Sequence, residues 1–112
     1  MNLRSVLDRL DGELLTPGSD LDLEFTRVFA SDLMSDVLAF TGPGELLITG
    51  LVNGHVVSTA AVADIAAVVF VQGKRPSAAV VGEARENRLP LISTPLSTFE
   101  ACTRIGSLRS DA

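Results

Sequence analysis

Apolar residues in the second half of the chain fall in three short continuous runs, and each run is followed by a polar turn and a longer mixed segment. The runs are Leu46–Ile48, Ala67–Val71 and Leu91–Ile92. Continuous apolar runs of this length are typical of strands that are buried on both faces of a parallel sheet. The segments between them, at roughly ten residues, are long enough for crossover helices. The pattern therefore predicts βαβ units, with helices that end near Ala63, Arg88 and Gly106.

The first half of the chain has a different pattern. The apolar residues of Leu3–Leu10 have the i, i+3, i+4, i+7 spacing of an amphipathic helix, which Asp11-Gly12 should end. Glu13–Thr16 is predicted to be a short strand, because the turn residues at 17–20 follow it directly. This region therefore adds a helix and a strand before the repeated units begin.

Two further elements are predicted ahead of the first continuous run. Apolar and polar residues alternate in Leu21–Phe25, which predicts a strand with one face in water. Ser31-Asp32 is expected to begin a helix, since a serine caps well and an acidic residue is favourable in the first turn. Leu33, Val37 and Phe40 would then lie on one side of this helix.

Length and composition agree with one α/β domain over residues 1–112. A chain of 112 residues, of which 46% are hydrophobic, can form one core, and its scarcity of aromatic residues means that the core must be aliphatic. We predict a three-layer-like domain with a mostly parallel sheet and βαβ crossovers. We expect the tail, Ser107–Ala112, to fray.

Charge and cysteine content restrict the class of protein. Fourteen acidic residues face nine basic ones, so the net charge is −5, and a nucleic-acid binder would normally carry a basic face. No apolar run approaches the ~18–20 residues that cross a bilayer, and the N-terminus does not resemble a secretory signal. Cys102 is the single cysteine, which excludes an intramolecular disulfide. We expect a cytoplasmic protein that binds neither nucleic acid nor membrane.

Candidate chemistry lies where the three predicted buried strands end. In open α/β sheets, ligands bind beyond the carboxyl ends of the strands, where each loop leads into a helix N-terminus that attracts anions. Small residues there would admit a ligand, polar groups would bond to it, and two cations would neutralise a phosphate. The candidate ligand-binding residues are Thr49, Gly50, Asn53, Gly73, Lys74, Arg75, Ser93 and Thr94.

The same loops have a purely structural explanation. Gly50 and Gly73 would simply end strands, and Asn53, Pro76 and Thr94 would be ordinary helix starts. None of the loops matches a dinucleotide-binding or P-loop motif, so both explanations stay open.

Nothing in the sequence predicts catalysis, a metal or a cofactor. His55 has no nucleophile, orienting carboxylate or further metal ligand near it in sequence. Cys102 has no adjacent basic group to lower its pKa, so we interpret it as a core residue. Glu83 and Glu86 share a helix with Arg85 and Arg88, which favours a solvated charged face over a carboxylate pair.

Several short blocks, in order along nearly the whole chain, resemble a DRTGG domain. They are Ala30–Phe40, Leu47–Asn53, Thr59-Ala60, Ile65, Val69–Pro76, Ala84, Ser93-Thr94 and Phe99–Cys102. The chain looks closest to stand-alone members, which are often encoded beside iron-only hydrogenase and NADH-dehydrogenase-like subunits. Other members are fused to phosphotransacetylases or lie between CBS domains in regulated pyrophosphatases.

The resemblance implies an α/β domain similar to the N-terminal domain of HPr kinase/phosphorylase, frequently dimeric, with a regulatory or assembly role and no established reaction. The Asp-Arg-Thr-Gly-Gly signature is absent, because the turn after the first continuous run is Thr49–His55. The resemblance therefore supports the fold more strongly than it supports any ligand.

Two functions remain in competition. The first is a non-catalytic regulatory module that binds a small anionic ligand, such as an adenine nucleotide or another phosphate-bearing molecule, at the carboxyl ends of its strands. The second is a homodimeric docking or assembly subunit of a redox or acyl-phosphate enzyme, with no small ligand.

Overall fold

The computed structural model describes residues 1–110, without the side chains of the last two of these, and its helices and strands alternate over most of that length. The helices are α1 (Leu3–Arg9), α2 (Met34–Phe40), α3 (Gly54–Ala63), α4 (Ala78–Glu86) and α5 (Thr98–Ser110). The strands are β1 (Glu13–Leu14), β2 (Val28–Ala30), β3 (Leu46–Thr49), β4 (Ala67–Phe70) and β5 (Leu91–Ser93).

Within these residues the strands form one sheet in the order β1-β5-β4-β3-β2. Strands β2 to β5 are parallel, and β1 adds an antiparallel edge with Glu13 opposite Ser93. The continuous apolar runs occupy the centre of the sheet, where every residue of β3 and β4 is buried. The predicted mostly parallel sheet with βαβ crossovers is confirmed.

Two apolar cores lie on opposite faces of the sheet. Successive strand residues point to opposite faces. Leu46 and Ile48 accordingly pack with α1 and α5, whereas Leu47 packs with α2, α3 and α4. The domain thus has three layers, as expected. Because α4 and α5 cover different faces, the loops that follow β4 and β5 lead to opposite faces of the sheet.

The predicted strand Leu21–Phe25 was wrong, and β2 was missed. The burial of this segment does alternate, but its backbone bonds to the start of α1: the N–H of Leu3 donates to the carbonyl of Leu23 at 2.9 Å. The first N–H groups of a helix lack intrahelical partners, so this segment satisfies them instead of joining the sheet. The edge strand β2 follows it, too short to show a period.

The predicted start of α2 was also wrong. The helix begins at Met34, and its N-cap Leu33 makes no side-chain cap. Val37 is buried as expected, whereas Leu33 and Phe40 are 57% and 63% exposed. Asp32, assigned by sequence to the first turn, is left free to contact the next strand's loop.

At the C-terminal end, the Ser97–Glu100 capping pair is confirmed, since the N–H of Glu100 donates to Ser97 Oγ at 3.1 Å. Helix α5 continues to Ser110, beyond the predicted end near Gly106 and into the tail expected to fray. Asp111 and Ala112 lie outside the described residues. In the described part of the chain, no helix has the length and apolar character needed to cross a membrane.

Candidate ligand site at the carboxyl ends of the strands

The loops that follow β4 and β5 are joined by backbone hydrogen bonds. The N–H of Gln72 donates to the carbonyl of Leu96 at 2.7 Å, and the N–H of Gly73 donates to the carbonyl of Thr94 at 2.8 Å. Ser93 Oγ adds a bond to the carbonyl of Lys74 at 2.9 Å. Since these two loops lead to helices on opposite faces of the sheet, they occupy the position where α/β sheets commonly bind ligands.

Gly50 lies between a carboxylate and an ammonium group. Asp32 Oδ1 accepts bonds from the N–H of Gly50 at 2.7 Å and from Thr49 Oγ1 at 3.0 Å. Lys74 Nζ donates to the carbonyl of Gly50 at 3.1 Å. A Cβ built on Gly50 would lie 3.5 Å from both Asp32 Oδ1 and Lys74 Nζ. The ends of β2, β3 and β4 therefore contribute to one polar group of residues, which we call the Gly50 cluster: Asp32, Thr49, Gly50 and Lys74.

Sequence reasoning did not find Asp32, because it interpreted this residue as part of a helix start. Asp32 follows β2 by two residues, and β2 is parallel to β3, so its carboxyl end lies at the same edge of the sheet. Its place at this edge can be predicted only once β2 is identified as a strand parallel to β3.

Arg75 does not join Lys74 in the Gly50 cluster. Its guanidinium forms an ion pair with the carboxylate of Glu13 on β1, and both side chains are more than half exposed. Lys74 contacts the loop after β3, whereas Arg75 contacts the far side of β5, so the two cations are engaged on opposite sides of β4. Arg75 can meet a phosphate only by leaving Glu13 or by sharing its guanidinium with it.

The remaining candidate residues have structural contacts. Thr94 is fully buried, and its hydroxyl donates to the carbonyl of Leu10 at 2.6 Å. Asn53 is the N-cap of α3, where its side chain accepts from the N–H of His55 at 3.0 Å. Gly73, at φ +67°, is exposed, and a Cβ there would meet no atom within 4 Å. Of the candidate loops, the structure thus brings Thr49, Gly50 and Lys74 together.

The structural explanation of the helix starts holds only in part. Asn53 caps α3 as that explanation proposed. Helix α4 is instead capped by Ser77, whose Oγ accepts from the N–H of Val80 at 3.3 Å, so Pro76 lies outside the helix. Thr94 lies four residues before α5. These residues shape the loops rather than begin the helices.

Cys102 and the acidic residues are the other reactive side chains that the sequence analysis considered. Burial raises the pKa of the Cys102 thiol, which favours the neutral thiol over the nucleophilic thiolate. Within residues 1–110, no group of three or more His, Cys, Asp or Glu side chains is placed to hold a metal ion.

Comparison with known proteins identifies the fold. A sequence model of the DRTGG domain family matches residues 5–108. Among solved structures, the chain is similar to the CBS and DRTGG domains of the regulatory region of Clostridium perfringens pyrophosphatase, a structure complexed with the activator diadenosine tetraphosphate. The TM-score is 0.78 at 20% identity, over 93% of this chain and 45% of that chain. The chain thus spans less than half of that regulatory region, and no curated protein matches it.

Proposed function

The chain belongs to the DRTGG domain family, and from that premise we propose that it is a non-catalytic regulatory module that binds a phosphate-bearing ligand. An adenine nucleotide is the first candidate. The proposed site is the Gly50 cluster, together with the exposed Gly73 and with Arg75 as a second cation.

The observation that carries the proposal is the pair of opposite charges around Gly50. Lys74 Nζ has one hydrogen bond in the described chain, to the carbonyl of Gly50, and an ammonium group can donate three. Asp32 uses Oδ1 for its contacts with Thr49 and Gly50, which leaves Oδ2 without a hydrogen bond among the described residues. A nucleotide has both anionic phosphates and donor hydroxyl or amino groups. Lys74 would bind the first and Asp32 the second.

The local backbone supports the approach of a ligand. Gly50 has no side chain, so the groups that flank it are accessible to a ligand at the end of β3. Gly73 is surrounded by open space on its Cβ side. The solved pyrophosphatase region supports the regulatory role, because a domain of this fold lies there in a region complexed with a nucleotide activator.

A thermal-shift screen against adenine nucleotides tests whether any of them binds. A ligand at 100 times its dissociation constant stabilises the folded state by about 2.7 kcal/mol, which such a screen detects readily. Calorimetry with the best nucleotide then compares the wild type with Lys74→Ala and with Lys74→Ala/Arg75→Ala. We expect Lys74→Ala to weaken binding by about tenfold or more, and the second change to add less, because Arg75 already has a carboxylate partner.

Arg4→Ala is the matched control. Arg4 is exposed, and its nearest carboxylate, Asp22, lies 3.6 Å away, so its removal changes the net charge without touching the Gly50 cluster. Equal affinities in wild type and in the Lys74 variants would remove the phosphate role. An equal loss in Arg4→Ala would reduce it to a general effect of charge.

The second candidate function is homodimeric docking to a redox or acyl-phosphate enzyme. Helix α2, which follows the edge strand β2, and its N-cap expose Leu33, Leu38 and Phe40, at 57%, 51% and 63% of their surfaces. Light scattering should then give about twice the chain mass of 11.8 kDa, and Leu38→Glu/Phe40→Glu should give a monomer. A wild-type monomer at high concentration would count against docking through self-association.

A further inference from the structure

A pocket lies at the opposite end of the sheet from the Gly50 cluster. It has a volume of about 480 Å³ and lies between the loop after β1 and the turn that joins α4 to β5. Its lining includes Thr16, Ser19, Asp20, Arg85 and Arg88. Because β1 is antiparallel to β5, the loop after β1 arrives at the amino end of β5, where Thr16 Oγ1 accepts from the N–H of Leu91 at 3.1 Å.

The two arginines of this pocket lack partners within the described chain. Neither the Arg85 nor the Arg88 side chain makes a hydrogen bond or ion pair with another described residue. Elsewhere in the described chain, other arginines pair with carboxylates: Arg4 with Asp22, Arg27 with Glu45, Arg75 with Glu13 and Arg104 with Asp11. Acidic residues outnumber basic ones, fourteen to nine, so carboxylates are not scarce.

The backbone at Arg88 adds a second peculiarity. After α4 ends, Arg88 takes φ +55°, and the N–H of Leu89 closes the turn on the carbonyl of Ala84 at 2.9 Å. Helices that end in this way usually place glycine at the left-handed position, because the Cβ of any other residue is unfavourable there. The chain thus has a guanidinium at a position where the backbone favours glycine.

We propose that this pocket binds a small molecule through a phosphate or carboxylate group held by Arg85 and Arg88. Guanidinium forks bind both kinds of anion in bidentate geometry. The volume lies in the range of roughly 300–1,000 Å³ that small-molecule sites occupy. Leu23, Leu89 and Pro90 supply an apolar wall for the rest of the ligand.

Asp20 would determine the orientation of the ligand in the pocket. It lines the same pocket, and its Oδ1 accepts from the N–H of Asp22 at 3.0 Å. A carboxylate here repels a second anionic group and favours a hydroxyl or amino donor. The ligand therefore has its anionic group at the arginines and a neutral polar or donor group towards Asp20.

Amide NMR of the ¹⁵N-labelled chain, titrated separately with inorganic pyrophosphate and with citrate, tests the proposal. We expect shifts at the amides of Gly18, Ser19 and Leu89, which border the pocket. Shifts with pyrophosphate alone identify a phosphate ligand, and shifts with citrate alone identify a carboxylate. If neither probe shifts these amides, the proposal is wrong.

Two variants separate this pocket from the Gly50 cluster. Arg85→Gln/Arg88→Gln should raise the dissociation constant measured from the amides of Gly18, Ser19 and Leu89 by about tenfold or more. Lys74→Gln/Arg75→Gln, with the same charge change, should leave the constant measured at these three amides unaltered while it weakens any binding at the Gly50 cluster. Shifts confined to residues 49–50 and 73–75, or equal constants in the wild type and the Arg85/Arg88 variant, would overturn the proposal.

Arg88→Gly excludes unfolding as the cause of lost binding. Glycine suits φ +55°, so this variant should keep or raise the melting temperature while it weakens binding about tenfold, by roughly the contribution of one charged hydrogen bond. A variant that binds the probe as tightly as the wild type would show that the Arg88 side chain has no part in the site.

Discussion

The two ends of the sheet differ in whether their charged side chains have partners within the described chain. At the carboxyl end, Lys74 bonds to the carbonyl of Gly50, Asp32 accepts two bonds, and Arg75 pairs with Glu13. At the amino end, Arg85 and Arg88 line a pocket without a partner in the described chain. A rule that locates ligands at the carboxyl ends of strands thus finds where polar loops meet. Whether their charges are free depends on neighbours that the rule does not consider.

This difference arises from how each end is assembled. The loops at the carboxyl end are neighbours because consecutive parallel strands are neighbours, so the hydrophobic pattern predicts their proximity. The pocket at the amino end joins Thr16 to Leu91, residues 75 positions apart, through the antiparallel edge strand β1. No short-range pattern in the sequence indicates that contact.

The largest effect is expected from disrupting the central strand β4, because both ends of the sheet depend on it. Val69 is fully buried in the middle of β4, so Val69→Asp would bury an unpaired carboxylate. We expect a loss of more than about 4 kcal/mol in the free energy of unfolding, and little soluble folded protein. Circular dichroism and the soluble yield measure the effect.

Val62→Asp is the matched control for this change. Val62 is 78% exposed on α3, so the same substitution there should leave the melting temperature almost unaltered. A soluble Val69→Asp protein with the wild-type melting temperature would contradict the assignment of β4 to the buried centre of the sheet.

A smaller effect is expected where a candidate ligand residue has a structural contact instead. Thr94 donates to the carbonyl of Leu10 at 2.6 Å and accepts from the N–H of Leu96 at 3.3 Å, and it is fully buried. Thr94→Val keeps the shape but leaves both groups unsatisfied, so it should cost about 1–3 kcal/mol in denaturant unfolding.

Thr103→Val serves as the control, because Thr103 is exposed and its hydroxyl donates to the carbonyl of Phe99 in its own helix. It should cost much less than Thr94→Val. If Thr94→Val proves as stable as the wild type yet loses nucleotide affinity, Thr94 belongs to the ligand site. Its hydroxyl would then bind the ligand and not serve mainly as a structural contact.

The sequence predicts some segments of this fold correctly and others wrongly, for identifiable physical reasons. The run Ala67–Val71 predicted a buried strand correctly, because burial on both faces demands an unbroken apolar segment. The alternation in Leu21–Phe25 predicted a strand wrongly, because one-sided burial does not specify the hydrogen-bond partner, and that partner is the start of α1. Asp32 was missed for a related reason: a carboxylate near a helix start caps it in many chains, and only tertiary contact assigns it to Gly50.

The smallest effect on stability is expected from a substitution that leaves a cation at the carboxyl end without its carboxylate partner, as at the amino end. Glu13→Gln removes the carboxylate that pairs with Arg75, and both side chains are more than half exposed. Exposed ion pairs contribute little, so the free energy of unfolding should change by less than about 1 kcal/mol. Arg75 would then be free to bind a phosphate, and calorimetry with the nucleotide selected by the thermal-shift screen should show tighter binding than in the wild type. Glu24→Gln removes an equal charge from the exposed pair with the N-terminus and should leave the affinity unaltered. An unchanged affinity in Glu13→Gln would mean that pairing with Glu13 does not limit Arg75. The two ends would then differ in that the amino end has a pocket, and not in whether their cations are paired with carboxylates.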